Sequence, residues 1–191
     1  MQKEIKFGIM CRGMTLCKWQ ADAIEKILRI EDIKLSLIVI ENKEQIKKSK
    51  RILKKILNVK NFLWIGYENT RKYKAAKPID CSEIFTGVEK MNCGIDLKGK
   101  FSQYFKNEDV NFIKSKNLDF ILKFGFGIIR GEILNAAQFG IWSFHHDDEE
   151  VYRGGPPCFW EIYNGDKRTG AILQKLTDKL DGGVVLKKGY L

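Results

Sequence analysis

Apolar residues follow two rhythms in the early part of the chain, and their alternation predicts a layered fold. Residues 6–11, Lys6-Phe7-Gly8-Ile9-Met10-Cys11, make a short apolar run of the kind that fills a buried strand. A turn, Arg12-Gly13-Met14-Thr15, leads into a helix whose inner face carries Ala21, Ile24, Ile27 and Leu28. Residues 34–40 are rich in β-branched side chains and predict a second strand. A basic helix over 43–60 comes next, with Ile46, Leu53, Ile56 and Leu57 on one face, and then a third apolar run over 62–66. Strand, helix, strand, helix, strand at this spacing predicts a parallel sheet with right-handed crossovers.

From 68 to 105 the chain is polar and mixed, and Pro78 and several glycines interrupt any period. Regular pattern resumes with a helix over 107–116, on which Val110 and Ile113 share a face, and a strand over 119–124. A turn, Gly125-Phe126-Gly127, precedes a predicted helix over 130–137 and a strand over 140–144 that ends at His145. A last helix is expected to begin near Pro157, since proline is tolerated in a first helical turn, and to run through Trp160 and Ile162 to Asn164-Gly165. Two strands, over 169–175 and 183–187, complete a single α/β domain spanning 1–191.

Composition narrows this picture. With 44% hydrophobic and 12% aromatic residues in 191, the chain has the makings of one substantial core and is not a disordered sequence. No apolar run approaches the roughly 20 residues of a membrane span. The first residues, Met1-Gln2-Lys3-Glu4-Ile5-Lys6, carry no apolar stretch or small-residue cleavage site, so no secretory signal is expected. Five cysteines, Cys11, Cys17, Cys81, Cys93 and Cys158, are odd in number and lack a Cys-x-x-Cys pair. A disulfide framework and a zinc cage are both disfavoured, and a reducing, cytoplasmic setting is expected. The formal charge of +10 is concentrated in the basic helix. It reads either as a solvated helix face or as a surface for RNA or a nucleotide.

Candidate chemistry gathers where strands end and helices begin, the places where open α/β sheets bind ligands. Arg12, Gly13 and Thr15 combine a cation, a glycine and a hydroxyl ahead of a helix, a set that suits a phosphate but also an ordinary βα turn. The stretch 140–157 holds both histidines of the protein, His145 and His146, and then Asp147-Asp148-Glu149-Glu150. Strand alternation sends Ser143 and His145 to one side, so a hydroxyl and an imidazole share one space. A third end, 177–183, places Asp178 and Asp181 around a glycine turn. One carboxylate beside one histidine suits acid–base catalysis. The competing reading makes His145 a hydrogen-bonded core residue and Asp181 a turn former. A metal site built on His145, His146, Asp147 and Asp148 is disfavoured, because adjacent residues rarely converge on one ion.

The run from Gly140 to Gly183 resembles the formyltransferases that use 10-formyltetrahydrofolate, the family of methionyl-tRNA, glycinamide ribonucleotide and sugar N-formyltransferases. Their pattern of Gly-x-x-Asn-x-His, Arg-Gly, Pro, Trp, Asn-Gly-Asp, Thr-Gly and Leu-Asp-x-Gly appears without gaps. It stands here as Gly140-Ile141-Trp142-Ser143-Phe144-His145, Arg153-Gly154, Pro157, Trp160, Asn164-Gly165-Asp166, Thr169-Gly170 and Leu180-Asp181-Gly182-Gly183. Upstream, Phe124-Gly125-Phe126-Gly127-Ile128-Ile129 is similar to the family's folate loop.

The resemblance implies a Rossmann-like, mostly parallel sheet with helices on both faces, and 10-formyltetrahydrofolate as formyl donor. It implies His145 as proton carrier, Asp181 as its orienting partner and Ser143 at the place of the family's asparagine. Phe124 to Ile129, Asp178 and Leu180 would hold the pterin. Arg12, Gly13, Thr15, His146, Asp147 and Arg153 would frame the acceptor. Two departures stand out. Serine is a shorter and freer donor than asparagine, and losing one oxyanion donor costs about 3–4 kcal/mol in comparable sites. The family's Ser-Leu-Leu-Pro after the histidine is replaced by the acidic 147–150 loop, which suits an amino sugar's ammonium and repels an RNA backbone. The expected acceptor is therefore a small amine, a nucleotide-linked amino sugar, with nucleic acid and membrane disfavoured. A methionyl-tRNA formyltransferase-like enzyme and a formyltransferase-like binding module without turnover are the alternatives. The family's usual C-terminal extension is not in the sequence, so the expectation is either a piece of a longer chain or a minimal form completed by association as a homodimer.

Overall fold

In the computed structural model, residues 3–41, 73–99, 101–152, 157–180 and 182–191 are described. The expected basic helix over 43–60 and strand over 62–66 lie outside the described residues, as do Arg153 and Asp181.

The first apolar run becomes β1 (Ile5–Cys11), whose last five residues are buried. It needs apolar side chains on both faces because it lies inside a sheet covered on both sides. β3 (Ile33–Glu41) flanks it in parallel on one side, and β8 (Phe120–Lys123) on the other. β5 (Glu89–Cys93) extends the parallel set beyond β3, and β10 (Ile141–His146) extends it beyond β8. Two antiparallel strands, β11 (Gly170–Lys175) and β12 (Val184–Tyr190), continue from β10. Among the described residues the sheet therefore has the order β12-β11-β10-β8-β1-β3-β5.

Alternation along the strands sorts the core into two layers. Phe7 and Ile9 of β1, Ile38 of β3, and Phe120 and Leu122 of β8 face α1 (Lys18–Leu28), which buries Ala21 and Ile24 against them. Met10, Leu37, Val39 and Ile121 face the other way, toward Val110 and Ile113 of α2 (Asn107–Ser115). The helices thus lie on both faces of a mostly parallel sheet. Ile24 has no exposed surface, and burial of such a side chain stabilises by about 1.5–3 kcal/mol.

Three local outcomes differ from the sequence pattern. The mixed stretch before 105 contains β4 (Pro78–Asp80), β5, β6 (Ile95–Lys98) and β7 (Ser102–Phe105), the last paired in parallel with β9 (Ile128–Ile129). They are short and bury few residues, so no apolar period marks them. β4 pairs antiparallel with β2 (Thr15–Cys17), a strand inserted between the Arg12 turn and α1. The helix expected over 130–137 is a 3₁₀ turn, Gly131–Asn135, entered through Gly131 at φ 80°. It is too short for a period of 3.6 residues to be expressed. The motif helix is likewise a short α3 (Phe159–Asn164).

Candidate active site

β8 and β10 lie side by side in parallel, and the loop after β8 and the turn between β11 and β12 meet over their ends. In the parallel register Ser143 stands opposite Lys123. His145 lies two residues further on, so the three side chains start from the same face. They line one cavity of about 250 Å³. Its walls are Gly127, Ile128, Ile129 and Arg130 from the loop after β8, and Leu176 to Leu180 from the turn between β11 and β12. A wider hollow of about 740 Å³ opens at the opposite end of the strands, around Asp119, Asn135 and Gly140, and holds neither histidine.

The imidazole of His145 is oriented by its own neighbour. Nδ1 lies 2.5 Å from the carbonyl oxygen of His146. A carbonyl only accepts, so Nδ1 carries the hydrogen and Nε2 is left with the lone pair. The hydroxyl of Ser143 donates to the carbonyl of Phe144 at 3.3 Å, a long bond that is readily exchanged for a better acceptor. The His146 ring stacks on that of His145 at 4.4 Å.

The loop after β8 is held in part by two residues that sequence reasoning did not single out, Gln103 and Glu41. Gly127 N–H donates to Gln103 Oε1 at 2.5 Å, and Gln103 Nε2 donates to Glu41 Oε1 at 3.2 Å. Arg12 Nε donates to the other Glu41 oxygen at 3.3 Å. A buried carboxylate thus links the Arg12 turn to the Gly127 backbone through one amide. Gly125 is required here for space, because a Cβ would come within 2.8 Å of the Cys11 carbonyl carbon. Phe126 adopts φ 64° and packs its ring against Phe105 at 5.3 Å. A bulky residue with positive φ is backbone strain that the surrounding packing sustains. On the facing wall, Arg130 Nη1 donates to the carbonyl of Asp178, and Gly131 N–H donates to Asp178 Oδ1 at 3.1 Å.

Of the residues expected to meet the pterin, Gly127, Ile128, Ile129, Asp178 and Leu180 line the cavity with Ser143 and His145. Phe124 sits on the other sheet face, stacked on Phe144 at 6.1 Å and edge-on to Trp19. Arg12 and Thr15 line a separate hollow of about 280 Å³ with Gln20 and Phe124. Gly13 has φ 148° and open space around its Cα. Where the sequence pattern points the acidic loop at an acceptor, its first two residues, Asp147 and Asp148, turn inward and Glu150 stays exposed. Asp147, 2% exposed, accepts from Cys158 N–H at 3.3 Å and has Oδ2 3.2 Å from His146 Nε2. Its carboxylate is spent on internal contacts because a buried anion requires partners. Asp148 is tied to β12 by Lys188 Nζ at 2.7 Å and Tyr190 Oη at 2.6 Å. Its carboxyl is held down to about 2 by these two hydrogen bonds.

Lys123 is the feature that the sequence reading passed over. It ends a strand, Phe120-Ile121-Leu122-Lys123, that is otherwise apolar, and that interruption was a usable signal. Burial pushes its ammonium below the ordinary lysine range; the Arg12 charge acts in the same direction and Glu41 opposes it.

No protein-family model matches the chain. Among curated proteins it is 25% identical over 138 residues to the methionyl-tRNA formyltransferase of Prochlorococcus marinus, which covers 69% of this chain and 41% of that protein. The same-named protein of Malacoplasma penetrans is 34% identical over 104 residues, covering 53% of this chain and 32% of its own length. The chain thus spans well under half the length of these relatives. Among solved structures, a phosphoribosylglycinamide formyltransferase from Anaplasma phagocytophilum superposes with a TM-score of 0.59 at 13% identity, covering 99% of this chain and 72% of that one. A sugar N-formyltransferase from Shewanella gives 0.52 at 14% identity, covering 98% and 57%. The solved structures share the fold, and the sequence relatives, which carry the formyltransferase name, support a formyltransferase family for the matched region.

Proposed function

We propose that this protein transfers the formyl group of 10-formyltetrahydrofolate to the primary amine of a small acceptor, a nucleotide-linked amino sugar. The observation that carries the reading is the placement of Ser143 and His145 together in the cavity closed by the Gly127–Ile129 backbone and the 176–180 turn. The cavity's mixed lining, with Ile128, Leu176 and Leu180 beside backbone and polar groups, suits a flat heterocycle with hydrogen-bonding edges.

In this reading the pterin enters between the two walls and its formyl carbon rests beside Ser143. The acceptor nitrogen attacks that carbon, forming the new C–N bond while the carbonyl electrons move onto oxygen. Nε2 of His145, which holds the lone pair, takes a proton from the attacking amine. The Ser143 hydroxyl turns from the Phe144 carbonyl to the developing oxyanion. Collapse restores the carbonyl and breaks the bond to N10, which leaves with the proton that His145 returns. Asp181, which follows Leu180 in sequence, takes the role of relaying protons to and from the imidazole through water. Among the described residues no helix is long and apolar enough to cross a membrane.

A second reading takes its support from the names of the sequence relatives, whose acceptor is methionyl-tRNA, and from the net charge of +10. One experiment separates the readings. The protein is incubated with 10-formyltetrahydrofolate and, in parallel, nucleotide-linked amino sugars or methionyl-tRNA, and the products are weighed by mass spectrometry. A formyl gain on an amino sugar supports the first reading, and a gain on the tRNA alone replaces it with the second. Binding of a folate analogue without any transfer leaves a binding module, and absence of both transfer and binding sinks the formyl-transfer proposal.

A further inference from the structure

We propose that Lys123 is a further catalytic residue of this site, its ammonium reaching from β8 into the cavity beside Ser143 to hold the oxyanion formed during formyl transfer. The inference rests on the formyl-transfer reading and deepens it. Three observations meet at this residue. Its register partner across β8 and β10 is Ser143, so the two side chains leave neighbouring strands at one level on one face. Lys123 lines the same cavity as Ser143 and His145. It also stands in a strand where every other residue is apolar and buried, a position that favours another aliphatic residue unless the charge has a use.

The electrostatics agree with a cation aimed at a transient anion. Glu41 already accepts from Arg12 and Gln103, so its negative charge is shared among several donors. Burial and the Arg12 charge leave the Lys123 ammonium less comfortable than in water. A negative oxygen appearing in the cavity relieves both costs, and it does so only in the transition state, the condition for catalysis rather than simple binding. This answers the shortage that serine creates. Ser143 offers one neutral donor; Lys123 adds a full charge from the adjacent strand. Atoms balance as before: the amine lone pair forms the C–N bond and the carbonyl pair moves to oxygen beside the ammonium. His145 takes the amine proton, and the pair returns as the N10 bond breaks. Lys123 keeps all its protons throughout.

The requirement for an ammonium gives a pH signature. Activity falls as pH rises through the lowered Lys123 pKa, below the ordinary value of about 10.4. The charged or titratable groups that share its surroundings are Arg12, Glu41, Arg130, His145, Asp178 and Lys179.

The test uses the whole chain, in wild-type form and as Lys123→Met and Lys123→Arg, with a non-transferable 10-formyl folate analogue in which carbon replaces N10. Calorimetry gives the analogue's affinity. Acetylation by acetic anhydride, read by peptide mass spectrometry, gives the accessibility of the Lys123 amine with and without the analogue. Bound analogue is expected to protect Lys123 in the wild-type chain. Lys123→Met is expected to lower kcat about 100-fold and to lose the alkaline limb, with affinity for the analogue changed by no more than about threefold. Lys123→Arg is expected to restore at least about a tenth of the rate and to move the limb to higher pH. An analogue that binds without protecting Lys123, or a Lys123→Met rate within about threefold of wild type, overturns the inference and leaves formyl transfer standing. A wild-type chain that neither binds the analogue nor transfers formyl overturns the formyl-transfer reading itself, and this inference with it. Should Lys123→Met fail to fold, the protection measured on the wild-type chain still decides.

Discussion

His145 is oriented through Nδ1 by a single backbone carbonyl, so the proposed base chemistry would fall to Nε2. His145→Ala is therefore expected to lower kcat by about 10²–10⁴-fold while the affinity for a folate analogue stays nearly unchanged, as calorimetry beside steady-state kinetics would show. Equal loss of affinity would mean that the ring serves as a wall and not as a base. Ser143→Asn tests the adjoining donor. With Lys123 beside it, the added amide is expected to change kcat by less than about tenfold, whereas in a Lys123→Met background the same substitution recovers a larger share of the lost rate. A strong gain in the wild-type background would show instead that Ser143 limits the site alone.

Between elements, the buried contacts Arg12–Glu41–Gln103–Gly127 join β3, β7 and the loop after β8. Gln103→Leu removes the acceptor for Gly127 N–H and a donor to a buried carboxylate, a loss of about 1–3 kcal/mol in stability. The folate KM is expected to rise more than kcat falls, since the loop loses its anchor and His145 does not. Gly125→Val is the steric counterpart. Its Cβ meets the Cys11–Arg12 backbone, which cannot yield as a flexible side-chain end would, so a fall in Tm and weaker folate binding are expected together.

The same elements show what was readable beforehand. β1, α1, β3, α2 and β8 each bury an apolar stripe of recognisable period, and the 140–145 run carries a motif that names Ser143 and His145. β4 to β7 bury too few residues to imprint a period. Lys123 and Glu41 end strands of the seven-stranded sheet, while Gln103 lies on β7 of a separate small sheet, so only tertiary contacts group them. Their grouping is a product of long-range pairing, which no local pattern encodes.

For the molecule as a whole, stability is expected to depend on acid through the contacts that fasten β12. The Asp148 carboxyl, bound by Lys188 and Tyr190, is held down to about 2, against about 3.9 in an unfolded chain. A depressed carboxyl contributes stability that is fully present above the unfolded value and disappears as pH falls through the folded one. Tm is therefore expected to drop between about pH 4 and pH 2, and Asp148→Asn to flatten that drop while lowering Tm at neutral pH. Differential scanning calorimetry over this range checks both. Core burial makes a contribution that does not depend on pH. Ile24→Ala, on the α1 layer, is expected to cost about 2–5 kcal/mol in denaturant titration without altering the kcat of the molecules that remain folded.

At β10 the sheet changes from parallel to antiparallel pairing, so the bend joining β11 to β12 hangs over the candidate chamber as a ceiling. Hairpin tips absorb extra residues with little harm to a scaffold. Lengthening or trimming the chain between Leu176 and Leu180 would thus reshape the chamber while the sheet beneath keeps its hydrogen bonds, giving evolution or an engineer a dial for ligand size that is nearly independent of folding.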